Sequence, residues 1–138
     1  MAGETDPAAS LGARVPMAGT IGAIAEEFSE DFARIRMPHR SDLTNSGGGF
    51  HGGALATLLD VALCSAARPS DDAELMVITL DLSVHFISSS DRDVIAEARC
   101  LKRGRSVAFS QGEVRSLDGE LLATATATLK LVPRRQPA

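Results

Sequence analysis

Residues 52–67, GGALATLLDVALCSAA, constrain this chain more than any other stretch. They are rich in Ala and Leu, which favours a helix. Apolar side chains stand at nearly every position, so the helix has no broad wet face. Such a helix is stable only if other elements cover most of its surface. Thr57, Asp60 and Ser65 are its clearly polar side chains. Whatever encloses the helix must therefore accommodate a carboxylate near its middle.

The covering material follows in the sequence. Residues 75–87 (LMVITLDLSVHFI) set Ile78, Leu80, Leu82, Val84 and Phe86 in alternation with Thr79, Asp81, Ser83 and His85, the period of a strand with one buried face. Strand patterns recur at 93–101 (DVIAEARCL), 106–116 (SVAFSQGEVRS) and 120–132 (ELLATATATLKLV). The last places Ala123, Ala125, Ala127, Leu129 and Leu131 on one face and threonines on the other. Gly104 in KRGR and Asp118-Gly119 in SLDGE are hairpin signals. Strands joined by short turns pair antiparallel, because parallel neighbours need long crossovers. Upstream, 21–28 and 31–37 suggest two more short strands parted near Ser29 and Glu30, or a short helix in their place. The expected fold class is α+β, an antiparallel meander wrapped around one long helix.

At 138 residues the chain fits a single domain with one core. Residues 1–19, rich in Ala, Gly and Pro, predict a loose tail, residues 20–133 the domain, and 134–138 a short C-terminal tail. The net charge of -4 argues against a nucleic-acid-binding surface. No apolar run reaches the roughly 20 residues of a membrane span, and no secretory leader is recognisable. A cytoplasmic protein without membrane or nucleic-acid partners is the expectation. Cys64 and Cys100 lack paired spacing and are expected to be reduced core thiols. The three histidines do not form HExxH, so no metal is expected, and neither a phosphate-binding Gly-Lys-Ser/Thr nor a GxSxG nucleophile elbow is present.

Asp60 then has two readings: it lies on the one wet edge of the helix, or it does chemistry. An ionised carboxylate among apolar groups costs several kcal/mol unless paired. Ahead of the helix, SGGGFHGG carries a second candidate, His51. Gly52 and Gly53 allow a ligand to approach free N–H groups at the positive end of the helix, where an oxyanion is stabilised; a flexible loop is the simpler alternative. Asp60 follows His51 by nine residues. On a helical track that is ~13 Å along the axis and roughly the opposite side. One chain cannot bring both to the same atom. If both act, a symmetric dimer must supply one from each subunit.

Asn45-Ser46-Gly47-Gly48-Gly49-Phe50-His51-Gly52-Gly53, with Asp60 downstream, resembles the N-x-x-G-x-x-H-G-G…D signature of hotdog-fold acyl-CoA thioesterases, nearest the phenylacetic-acid-degradation type. The resemblance spans about residues 20–132. It implies a long helix wrapped by an antiparallel sheet, active as a homodimer that can pair into a homotetramer. It implies Asp60 as nucleophile or general base, Gly52 N–H on the thioester oxygen, and Asn45 and His51 orienting the thioester or water. Thr79 matches the family's assisting Ser or Thr, although strict alternation turns it away from Leu80 and Leu82. Gly48, Gly53 and Phe50 would line the substrate, Phe50 being the pocket candidate among aromatics otherwise expected in the core. The hairpin Lys102-Arg103-Gly104-Arg105-Ser106 matches a basic segment near the coenzyme A nucleotide, and a solvated turn is the alternative. His39 and His85 are expected to be structural or solvated. Ser46 and three glycines follow where the family commonly has Pro after the Asn, so a looser loop is expected.

The resulting expectation is hydrolysis of an acyl- or aryl-CoA thioester to free acid and coenzyme A, with no cofactor beyond the CoA of the substrate. A non-catalytic acyl-CoA-binding or regulatory protein of the same fold is the alternative. A hydratase or dehydratase on 3-hydroxyacyl thioesters comes third, because Gly-Gly, and not Pro, follows His51.

Overall fold

A computed structural model describes residues 11, 12, 14–69 and 75–134. Its main helix, α2, spans Gly52–Ala67, the boundaries expected from sequence. Around it lie β1 (Ile24–Ser29), β2 (Phe32–Met37), β3 (Leu75–Phe86), β4 (Val94–Arg103), β5 (Val107–Ser116) and β6 (Leu121–Pro133). All pairings are antiparallel and form one sheet in the order β1-β2-β4-β5-β6-β3. The helix touches every strand of this sheet.

Sequence predicts why the sheet can curl so closely around the helix. The faces turned to α2 carry small residues where the approach is tightest: Ala96 and Ala98 on β4, Ala108 on β5, and Ala123, Ala125 and Ala127 on β6, all buried. Leu58, Leu59 and Leu63 of α2 fill the space left over and are fully enclosed. At Gly112 a Cβ would come within 2.8 Å of the Glu97 carbonyl oxygen across β4, so only glycine fits there. Because interiors of this density relax little, Leu58→Ala is expected to cost about 3 kcal/mol. A melting temperature about 10 °C lower, measured by circular dichroism, checks this.

Three expectations change. First, the described part of the N-terminal segment is not loose. Leu11 and Ala18 are completely buried, and a short helix α1 covers Pro16–Thr20; Pro at its start supplies a preset φ. The remainder of the expected tail, residues 1–10 and 13, lies outside the described residues, as do 135–138. Second, β4, β5 and β6 form the predicted hairpins, but β3 pairs with β6 and not with its sequence neighbour β4. It thereby becomes an edge strand. Third, β3 does not alternate strictly. The register with β6 runs Thr79↔Leu129 and then Asp81↔Thr128, so Leu80 is an unpaired bulge residue. Cross-strand partners share a face. Val77, Thr79, Leu82, Val84 and Phe86 therefore face the helix, while Ile78, opposite Lys130, faces outward. Ile78 and Leu80 are exposed, contrary to the strand pattern.

Upstream, the two-strand reading holds and the helix alternative does not. The β1–β2 turn places Asp31 at φ 61°, the left-handed region that Asp tolerates better than most residues. No helix among the described residues is long and apolar enough to cross a membrane.

Candidate active site

The three polar residues of α2 separate by what their side chains do. Thr57 and Ser65 hydroxyls donate to the carbonyls of Gly53 and Val61, four residues back. Such bonds keep a hydroxyl on its own helix. Asp60 instead reaches across to β3, where its Oδ1 accepts a 2.6 Å hydrogen bond from Thr79 Oγ1. The bulge at Leu80 is what makes this possible. It holds Thr79 in phase with buried Leu129 while Leu82 and Val84 remain on the same side. The reach of Thr79 thus comes from a shift in register.

Asp60 is half-buried and opens into a cavity of about 410 Å³. Its walls include Val61, Cys64, Val77 and Thr79, and Arg14, Arg68 and Arg134 also line it. The positive charges of Arg68 and Arg134, after the effect of partial burial, hold the Arg14 guanidinium below its ordinary value. Cys64, one turn beyond Asp60, places its sulfur 3.2 Å from Thr79 Oγ1 and 4.0 Å from Asp60 Oδ1. Burial pushes this thiol up to about 11, opposed by the Thr79 hydrogen bond and assisted by the Asp60 charge. Both cysteines are free thiols, but Cys64 is a wall of this cavity and not a plain core residue. The i, i+4 spacing of Asp60 and Cys64 on a known helix was the available signal for it.

At the other end of α2, His51 is the N-cap, and its Nδ1 accepts from the Gly53 N–H at 2.8 Å. Nδ1 therefore carries no proton, and in the neutral ring Nε2–H is a donor. The imidazole is exposed, so this donor is available to a ligand. A Cβ on Gly53 would lie 2.9 Å from His51 Nδ1, and one on Gly52 would lie 3.3 Å from the Phe86 ring. A side chain at Gly53 would thus collide with the capping imidazole, while one at Gly52 would need the Phe86 ring to give way slightly. Ala54 and Leu55 N–H groups return to the His51 carbonyl, whereas the Gly52 N–H has no acceptor among the described residues. That amide is one of the orphan donors at the positive end of the helix.

The glycine loop is held at both ends. Asn45 Oδ1 accepts from Gly47 N–H, the Asn45 carbonyl accepts from Gly48 N–H, and Asn45 N–H donates to the Gly49 carbonyl. Phe50 and His51 amides donate to the Ser90 and Leu43 carbonyls. Gly48 sits at φ 89°, which explains glycine there. With its oxygen engaged, the Asn45 side chain keeps its amide N–H groups as donors. Ser46 and three glycines in place of the family's Pro therefore come with a dense set of turn hydrogen bonds.

Asn45, Gly48, His51, Gly52 and Gly53 are gathered at one end of α2, and Asp60, Thr79 and Cys64 near its middle. Phe50, the pocket candidate, is almost fully buried, packed edge-on against His39. His39 also contacts the Gly48 carbonyl through Nε2, so it supports the loop. Of the aromatics expected in the core, Phe28, Phe86 and Phe109 are exposed. The basic hairpin is divided. Arg103 is taken up by Asp31 and by the carbonyl of Ala67 at the C-terminus of α2, where it satisfies an orphan acceptor. Gly104 and Ser106 form the turn through Gly104 N–H to Val107 O and Leu131 N–H to Ser106 O. Arg105 is exposed. A second cavity of about 450 Å³ lies on the outer sheet face between His85, Arg99 and Glu113, away from all of these groups. Among the described residues no cluster of three or more His, Cys, Asp or Glu could hold a metal ion.

Comparison with known proteins adds the following. The sequence profile described as Domain of unknown function (DUF4442) matches residues 7–131. A protein of Halobacterium salinarum, named as a candidate esterase, is 33% identical over 96 residues, which cover 66% of this chain and 64% of that protein. The chain thus spans less than two thirds of the length of that relative. Among solved structures, a thioesterase family protein from Silicibacter pomeroyi superposes with a TM-score of 0.83 at 28% identity, covering 93% of this chain and 97% of that one. A phenylacetic acid degradation-related protein from Ralstonia eutropha JMP134, described as a candidate thioesterase, gives 0.76 at 28% identity, covering 91% and 99%. The fold is the hotdog fold, and the likeness extends to thioesterases of the expected branch.

Proposed function

The chain belongs to the DUF4442 family, and from that premise we propose that it is a thioester hydrolase acting on acyl- or aryl-CoA. The observation that carries this reading is the placing of a carboxylate, gripped by a hydroxyl, in the wall of a cavity midway along a helix whose N-terminus offers a free amide. Those two halves are what thioester hydrolysis needs. The Gly52 N–H polarises the carbonyl and takes up charge as the tetrahedral intermediate forms. The Asp60 carboxylate attacks that carbon or takes the proton of the attacking water. His51 Nε2–H and the Asn45 amide hold the thioester or the water in line. Esterase and thioesterase names among the relatives support a hydrolase of this type.

Gly52 and Asp60 are about 12 Å apart along the helix axis, so the complete site takes Gly52 and His51 from one subunit and Asp60 from the other. The free edge of β3, with Ile78, Leu80 and Phe86 exposed along it, supports this pairing: a long apolar edge is a template for another strand. Exposed Leu101 and Phe109 on β4 and β5 give a further apolar surface by which two dimers could pair.

The arginines around the cavity favour an anionic substrate such as a coenzyme A ester over a neutral one. Replacing Arg14 by Ala is expected to raise KM for acyl-CoA several-fold while kcat stays near wild type. Steady-state kinetics with an acyl-CoA and its short acyl-pantetheine analogue checks this, since only the CoA ester carries the phosphates. The reading as a whole is tested by thiol release from phenylacetyl-, benzoyl-, acetyl-, hexanoyl- and lauroyl-CoA. Release from at least one ester is expected. Tight binding with no release from any would make the protein an acyl-CoA binder.

A further inference from the structure

Asp60, Thr79 and Cys64 share two protons whose positions are set by geometry. Thr79 has one hydroxyl proton, and the 2.6 Å contact commits it to Asp60 Oδ1. Its oxygen is then an acceptor toward Cys64, 3.2 Å away, and the thiol must be the donor. Among the described residues Asp60 Oδ2 has no hydrogen-bond partner, while Oδ1 accepts from Thr79 and lies 4.0 Å from the Cys64 sulfur. All three side chains line the same cavity.

We propose that Cys64 is a positioning residue for the reacting carboxylate: its S–H fixes the Thr79 hydroxyl, which fixes Asp60 Oδ1 and leaves Oδ2 directed at the substrate. This rests on the hydrolytic reading of Asp60 given above. It assigns Cys64 no covalent part, and the thiol's high value, about 11, keeps it protonated and a donor at neutral pH. A more acidic thiol beside a thioester would itself capture the acyl group. The charged and titratable groups around it are Asp60 on α2, Arg68 just past its C-terminus, Arg14 from the N-terminal segment and Arg134 beyond β6.

The test follows Cys64 itself. In a Cys100→Ser background, alkylation by iodoacetamide is timed at pH 8.5, where the rate is proportional to the thiolate fraction. Asp60→Asn is expected to speed the reaction several-fold, because the opposing charge is gone, and Thr79→Val to slow it, because the thiolate, once formed, loses the hydroxyl that turns to donate to it. Opposite signs separate coupling from a change of access. In turnover, Cys64→Ala should lower kcat about fivefold with KM unchanged, and Cys64→Ser, which keeps a donor, should recover most of it. Equal alkylation rates in the three proteins, or wild-type kcat in Cys64→Ala, would overturn the proposal. Alkylation needs no substrate, so it decides the coupling even if no thioester is hydrolysed, a result that would defeat only the hydrolytic reading.

Discussion

Asp60→Asn is expected to lower kcat by roughly 10²- to 10⁴-fold on the best CoA ester, the range removed when a positioned acid–base or nucleophilic group is lost. The amide conserves volume, and its oxygen can still accept from Thr79, so the fold should persist. A melting temperature within a few degrees of wild type and an unchanged elution volume establish that the loss is chemical. KM should move little, since the proposed substrate contacts lie mainly with the loop around His51 and with the cavity wall. A variant that retained wild-type kcat would remove Asp60 from the mechanism and leave its bond to Thr79 as a structural tie.

The second large effect is a recovery. His51→Ala alone should be strongly impaired, because it loses both the N-cap of α2 and the Nε2–H donor. Mixed with Asp60→Asn and allowed to exchange subunits, the pair should regain about a quarter of wild-type activity. Random exchange makes about half of the dimers mixed, and each mixed dimer holds one site with both side chains intact and one with neither. Sites contained within a single chain would give no recovery, because each would still lack one residue. The assay starts from near zero, so it tells the two arrangements apart without a structure of the dimer.

Much of this architecture was legible in the sequence, and the legible parts share a cause. The limits of α2, the hairpins at Gly104 and Gly119, and the buried alanine face of β6 are all set by residues adjacent in the chain. The distance between His51 and Asp60 follows from helical rise alone. What escaped depends on residues far apart. Pairing of β3 with β6 is decided by which edge remains free once the hairpins have formed, and no local motif encodes it. Leu11 is buried because an N-terminal segment lies over the core, which its Ala- and Gly-rich neighbourhood does not suggest. Arg103 has the composition of a phosphate ligand, yet Asp31, distant in sequence, takes it. Cys64 looked like packing because, by type, it usually is.

The unpaired Leu80 has a consequence for how this protein can vary. A strand with an unbroken two-residue rhythm would have to choose between Thr79 and the pair Leu82 and Val84, since an odd step separates them. The extra residue lets both face inward, and it frees the site end of β3 from the packing end. Side-chain identity at position 80 should then be lenient, because the side chain is exposed and pairs with nothing in the sheet. Chain length there is lenient as well. Removing that single residue would set Thr79 and Leu82 an even step apart, so a regular strand would still hold the hydroxyl and the apolar side chains on one face. Divergence in this lineage can therefore rewrite position 80, or lose it together with the bulge, without giving up either the chemistry or the core.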